Sequence, residues 1–510
     1  MTPNSISWRF PALSAVFTAL TIYLGYFADR TQFPSFIVGY GAFFGLYVWA
    51  CFFQKTIPAK HLIALGIALR ILLLFSLPNL SDDYLRFLWD GRLTVAGYHP
   101  FLHPPSYFID HQILPPGISS ELFSQLNSPN YFTVYPPVDQ AVFAVAAWIA
   151  PENNWLGTLV MKLFLFACEL GTLRLLTVDH WPLTKKNVPP SVPTVNSQQS
   201  IVNGQRSTVN SQQSIVNGQW STVKGQQSTV NSQQSIVNSQ QSTVNSQQPT
   251  VNSLLPAVLF ALNPLMILEV VGNCHFEGAM VFFLVAGIVA MRQGKTAKSA
   301  VWWALATASK MLPLLFLPIV WRWLGWRKGL TFNVIFAAAS LLLFAPLIAV
   351  LPNILQSLNL YFQKFQFNAS IYYLIREIGY SKIGWDIGES SGPWLALSTL
   401  FGVLLIAALT KREVLNHCSR LASALLFALL LYLSFSAVVQ PWYVCVPFAL
   451  SLLTHWRFAV LWSGVVALSY SHYDGGLRQE HFGLIFLEYT ILWGFLIWEF
   501  NKKRNTEHTD

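Results

Sequence analysis

The sequence predicts an all-α polytopic transmembrane helical bundle, with about 13 or 14 crossings and a large ordered loop outside the bilayer. Composition is the first reason. At 510 residues, 53% hydrophobic, 15% aromatic and 10% charged, the chain is too apolar for a soluble globule. The second is that apolar runs of about twenty residues recur along nearly its whole length. The third is charge placement. The Lys and Arg behind the net charge of +9 cluster between those runs. This is the positive-inside pattern, and it requires no nucleic-acid partner. Cys51, Cys168, Cys274, Cys418 and Cys445 lie in or beside apolar runs, without CxxC or His spacing, and read as packing residues.

The first run, Pro11 to Phe27, follows only Arg9 and lacks a small-residue cleavage site, so it reads as a retained helix. Phe33 to Phe53 ends at Lys55 and Lys60, and His61 to Leu77 ends at Pro78. With those lysines inside, residues 78–137 form an outer loop. Its Pro and aromatic residues, as in Tyr98-His99-Pro100-Phe101 and Tyr135-Pro136-Pro137, argue for order against the membrane surface. Val138 to Ala150 is short and contains Asp139, which suits an interfacial helix. Trp155 to Val178 then crosses and ends before Lys185 and Lys186, closing an N-terminal helical region over 1–178.

Composition changes completely after that. From Thr194 to Pro249 run tandem seven-residue units of the type Thr-Val-Asn-Ser-Gln-Gln-Ser, cut short at Ser253. The apolar residues of each unit are adjacent, not spaced as in a coiled coil. The unit back-translates to the seven-base word ACAGTCA read through all three frames, as replication slippage would leave it. The expectation is a disordered cytoplasmic insertion within loop 179–253, with association of an Asn/Gln-rich tract as the lesser alternative.

The C-terminal region, 254–510, resumes with Leu262-Asn263-Pro264-Leu265 and carries Glu269, Asn273, His275 and Glu277 to the outer face. Ionisable groups at membrane depth line cavities or pair with each other. Lys310 lies midway in the apolar stretch Ala300 to Val320, beside Pro313. One continuous helix there would turn Arg322, Arg327 and Lys328 outward. A break near Lys310 keeps them inside and leaves Lys310 in an outer pocket. Phe332 to Val350 leads to an outer loop over 351–392 holding Arg376 and the sequon Asn368-Ala369-Ser370. The runs Trp394–Leu409, Leu421–Val438, Trp442–Leu453, Phe458–Ser471 and Phe482–Phe500 complete the bundle, with both termini inside.

The densest cluster of charge is Ser81-Asp82-Asp83-Tyr84-Leu85-Arg86-Phe87-Leu88-Trp89-Asp90-Gly91-Arg92. It suits a helix start, with Ser81 as cap, acids in the first turn, and Arg86 reaching Asp83 and Asp90. It equally suits a catalytic carboxylate held where a membrane helix meets water. With Gly97-Tyr98-His99-Pro100, Tyr135-Pro136-Pro137, Leu262-Asn263-Pro264-Leu265, Phe367-Asn368-Ala369-Ser370 and Pro441-Trp442-Tyr443 following in order, the stretch resembles bacterial polyprenol-phosphomannose-dependent mannosyltransferases. These are GT-C glycosyltransferases, distantly similar to the GPI-anchor mannosyltransferase. The resemblance covers most of the chain outside the repeats. The chain departs from it at Cys274-His275-Phe276-Glu277, where the family pattern reads Gly-His-Asn-Asp.

The resemblance implies a GT-C fold and transfer of a hexose, mannose first, from a polyprenyl-phosphate donor to a glycan or lipid-linked acceptor. The membrane would be the bacterial plasma membrane, with the site extracytoplasmic. Phosphate is a good leaving group, so one carboxylate suffices, to take the acceptor's proton, while cations hold the phosphate. The family's Asp-Tyr pattern implies Asp83 as base, with Asp82 orienting it or helping to bind a divalent cation, magnesium or manganese. Lys310, Arg376 and His275 are the phosphate-holding candidates. Arg86, Asp90, Tyr135, Glu269, Asn273 and Glu277 are the acceptor-binding ones. The competing class is a transporter or lipid flippase, which predicts an internal repeat between halves of the chain; the heptapeptide tract is not one.

Overall fold

Asparagine and proline set where the helices break, and those breaks shape the molecule. The computed structural model describes residues 9–53, 56–178, 254–410 and 418–507. The heptapeptide tract and Cys418's side chain lie outside what is described. The architecture is all-α and polytopic, with no strand among the described residues; an isolated parallel bridge joins Phe367 and Val438.

Among the described residues, five helical segments are long and apolar enough to cross a membrane: Arg9–Phe27, Phe33–Phe53, Trp326–Asn359, Ser390–Leu409 and Phe482–Asn505. A sixth is reached if Leu255–Leu262 and Met266–Gly272, bent by 59°, form one broken span. The expected 13 or so crossings are not met by whole helices, for local reasons. Asn154–Val178 is long enough but carries Lys162, Glu169 and Arg174. Elsewhere the apolar runs are interrupted. Asn263 bonds the N–H of Met266 (3.1 Å) and ends one helix to start the next, with Pro264 between. The break at Lys310 is present: Thr296–Ser309 ends, Lys310 is extended, and a short 3-10 turn leads to Leu317–Leu324.

The stretch 78–137 folds as expected for an ordered loop. It contains Asp83–Val95, Pro105–Asp110 and Ser120–Ser124 around a small core of Leu85, Trp89, Leu93, Phe108, Ile118 and Leu122. Phe101 packs on Leu347, Val350 and Ile354, and Phe101's carbonyl accepts from Asn353 (2.8 Å). The helix Pro137–Ile149, at about 1.5 Å per residue, is about 20 Å long and cannot cross alone. It packs on Asp83–Val95 so closely that a Cβ on Gly91 would stand 2.2 Å from the Phe143 carbonyl oxygen. Residues 351–392, read as loop, are largely the helices Leu351–Lys364 and Ile371–Ile383. The sequon is closed to modification in the fold: Asn368 is buried and its amide donates to Glu488 (3.1 Å).

Candidate active site

A cleft of about 470 Å³ opens where the pieces of 78–137 meet the broken helices. Its polar wall holds Arg30, Asp82, Asp83, Asn127 and Arg478, with Arg86, Glu277, Lys310 and Gln440 nearby on its lining. Met280, Met311, Leu312, Leu358, Phe365 and Leu433 make the remainder apolar. The irregular strip from Asn127 to Pro136 forms one side. Asp82-Asp83, Tyr135-Pro136, Phe367 and Trp442-Tyr443, from four of the segments that carried the family resemblance, line it together. Phe367 exchanges backbone bonds with Ala437 (3.0 Å) and Val439 (2.8 Å), which brings the Phe367-Asn368 and Pro441-Trp442 segments side by side.

Asp83 begins its helix, and Ser81 Oγ accepts from its N–H (3.3 Å). Asp82 is the N-cap residue but makes no capping bond; its carboxylate pairs with Arg30. Asp83 is half-buried. Its Oδ1 accepts from Asn127 Nδ2 at 2.7 Å. Burial raises its pKa above the ordinary carboxylate value, against the opposing pull of the Asn127 amide and of Lys310. Asp83 is thus hydrogen-bonded by Asn127, while Asp82 is paired with Arg30.

Lys310 Nζ lies 3.1 Å from Glu277 Oε1 and 5.7 Å from the centroid of Tyr135. Glu277 Oε2 is buried without a hydrogen-bond partner among the described residues. Arg86 does not reach Asp83. It binds Asp90 (2.9 Å) and, through Nη1, the carbonyls of Ser128 (2.9 Å) and Tyr131 (3.1 Å).

Several expected residues stand away from the lining. Asp90 is buried behind Arg86 and accepts from Gln140 (3.0 Å). Glu269 accepts from Tyr470 (2.6 Å), and Asn273 accepts from the N–H of Leu80 (3.1 Å). His275 is buried, stacked on Trp442 at 3.8 Å and 3.5 Å from Glu269. Only Trp442 of that pair reaches the cleft. Arg376 turns to Glu377 (3.0 Å), Gln366 and the Tyr373 ring, and neither it nor His275 lines the cleft. Among the described residues no three His, Cys, Asp or Glu side chains group to hold a metal. Asp82, the residue expected to help bind a divalent cation, is paired with Arg30.

The cations Arg30 and Arg478, Asn127, and Tyr473, whose ring carries the Arg30 guanidinium at 4.7 Å, were not among the expected site residues. Arg30 had a signal: it follows the first span, on the side assigned to Asp82.

Residues 247–325 match the family model described as "Alpha-(1->6)-mannopyranosyltransferase, N-terminal domain". The mannopyranosyltransferase match takes in the Asn263-Pro264 break, Glu277 and Lys310, and it supports a glycosyltransferase. No curated protein matches the chain.

Proposed function

We propose that this protein is an integral membrane glycosyltransferase of the GT-C type, moving mannose from a polyprenyl-phosphate donor to a glycan or lipid-linked acceptor. It works at the outer face of the bacterial plasma membrane. The observation that carries the reading is Asp83, a half-buried carboxylate of raised pKa in a cleft lined by Arg30, Lys310 and Arg478 as well as by apolar side chains. The apolar side chains suit a prenyl chain, and Lys310 suits the phosphate.

The acceptor hydroxyl oxygen attacks the anomeric carbon in line with the leaving group, and the carbon–oxygen bond to phosphate breaks. Asp83 takes the hydroxyl proton, and the bonding pair leaves on the polyprenyl phosphate, where Lys310 offsets its charge. Glu277 holds the lysine in place. The test supplies membranes with labelled polyprenyl-phosphate sugars one at a time. Transfer from the mannosyl donor is expected; transfer from a nucleotide sugar in place of every lipid donor would overturn the reading.

A further inference from the structure

The motif around Asp83 contains charges that the transfer step does not use, and the geometry points to their purpose. We infer that Asn127 is the positioning residue of Asp83, and that Arg86 and Asp90 act through the backbone of residues 127–131, not on substrate. This rests on Asp83 being the base.

Asn127 Nδ2 donates to Asp83 Oδ1 at 2.7 Å, which leaves Oδ2 for an acceptor hydroxyl. Asn127 itself is solvent-exposed. A free amide there would exchange this bond for water, so its persistence depends on where the backbone is held. That backbone is pinned from several directions. Arg86 Nη1 binds the carbonyls of Ser128 and Tyr131 at 2.9 and 3.1 Å. The N–H of Ser106 binds the Pro129 carbonyl at 2.9 Å, and the Tyr131 ring packs edge-on against Phe365. Arg86 is in turn fixed by Asp90 (2.9 Å), and Asp90 by Gln140 (3.0 Å). Gln140 also reaches Thr133 Oγ1 at 3.3 Å, farther along the same wall.

Arg86 and Asp90 are both almost fully buried, about one and two turns along the helix that Asp83 begins. The helix therefore grips the 127–131 segment one turn after its start, and that segment returns to orient the first residue of the helix. The Asp83-x-x-Arg86-x-x-x-Asp90 spacing follows from this closed arrangement: residues three and seven along share a helix face with the first.

Other charged or titratable groups acting on Asp83 come from its neighbours: Asp82 on its own segment, Arg30 after the first helix, and Lys310 at the helix break. Glu277, Tyr135 and Tyr473 are also within electrostatic reach. None is altered by substitution at Asn127, so a shift in the base's titration reports on the amide.

The experiment measures the pH profile of kcat/KM for mannosyl transfer in the wild type, Asn127→Ala, Asn127→Asp and Arg86→Lys, each checked for monodispersity in detergent. Loss of the amide donor raises the pKa of the base, so the acidic limb moves to higher pH, by about one unit in Asn127→Ala. It moves further in Asn127→Asp, which places a second carboxylate beside the first. kcat falls about tenfold with donor KM little changed, as expected when a group is misaligned but present. Arg86→Lys, which cannot fork to two carbonyls, moves the limb in the same direction. An acidic limb unmoved in both Asn127 variants, with Asp83→Asn inactive, overturns this inference alone. Near-normal transfer by Asp83→Asn overturns the base assignment and the inference with it.

Discussion

Replacing Lys310 by Met tests the electrostatics of the cleft most directly. The ammonium lies 3.1 Å from Glu277 Oε1, and it also sits in the field of Asp83 and of Asp139, whose carboxylate is fully buried. Among the described residues neither oxygen of Asp139 nor Oε2 of Glu277 has a hydrogen-bond partner. Removing the cation leaves these carboxylates facing one another without compensation. Breaking a fully buried ion pair costs about 3–5 kcal/mol. The Lys310 side chain is 26% exposed and Glu277 only 2%, so water relieves part of the loss. A value of about 2–3 kcal/mol is expected. Glu277→Gln in the same chain removes the orphaned charge and returns most of it. The assay is unfolding in detergent for wild type, both single variants and the double, read as a thermodynamic cycle. In parallel, kcat/KM for the lipid donor should fall more in Lys310→Met than in Lys310→Arg. Additive single effects in the cycle would refute the pairing, and unchanged donor kinetics in both variants would make Lys310 a helix-end lysine without a phosphate role.

Asp83→Asn keeps the shape and the Asn127 contact but removes the proton acceptor, so transfer should fall by about 10²–10⁴-fold at normal protein level. Because the Asp83 pKa is raised, the working, ionised form is lost as pH falls, with the acidic limb at higher pH than for an ordinary carboxylate; a limb near the ordinary value would count against Asp83 as base. Gly91→Ala places a methyl 2.2 Å from the Phe143 carbonyl oxygen, backbone against backbone. The two helices must part by roughly 1 Å, a cost of about 1–3 kcal/mol that thermal unfolding would detect. Single cysteines at Ser106 and Ser390 are expected to label from outside with an impermeant thiol reagent and one at Ser211 is not; labelling of Ser211 would invert the assigned topology.

Residues that act through composition or breakage were legible in advance. Lys310 beside Pro313 announced a broken helix because a lone cation and a proline in an apolar run have few other uses. The Asp82–Asp90 cluster stood out because charge was scarce around it, and Asp82, Asp83 and Arg86 line the cleft. Asn127 was not legible, since a polar residue in a Pro- and Ser-containing loop carries no periodic signal and its partner is distant in sequence. Glu269, Asn273 and His275 were read onto the cleft from a short outer loop. Met266–Gly272 is wound as a π-helix, and Cys274 takes a left-handed φ of 64°. This winding sends Glu269 to Tyr470 and His275 onto the Trp442 ring. Sequence spacing does not reveal a π turn, because the residues that adopt it also make ordinary helix.

Charges inside the helices hold the segment around Asp83 steady in a structure with so many breaks. Arg70 binds Glu169 through Nε (2.9 Å) and Nη2 (3.0 Å) and reaches the carbonyls of Gly66, Phe260 and Ala261. It thereby ties Ala59–Leu74, Asn154–Val178 and Leu255–Leu262 together, at a point where Gly66 lets backbone meet backbone. A buried ion pair contributes little net stability, but its partners can be satisfied in one arrangement only, which fixes the register of three helices. Lys162 does the same one step closer to the chemistry. Its ammonium is buried and binds the carbonyls of Leu73 (2.9 Å) and Ser76 (2.6 Å), capping the C-terminal end of the helix that leads into Asp83. Asp83 is thus approached by a segment anchored from below by Lys162 and oriented from the side by Asn127. For the proposed transfer, in which this carboxylate meets an acceptor hydroxyl in line with a departing phosphate, both constraints are needed, since either alone leaves the helix start free to pivot.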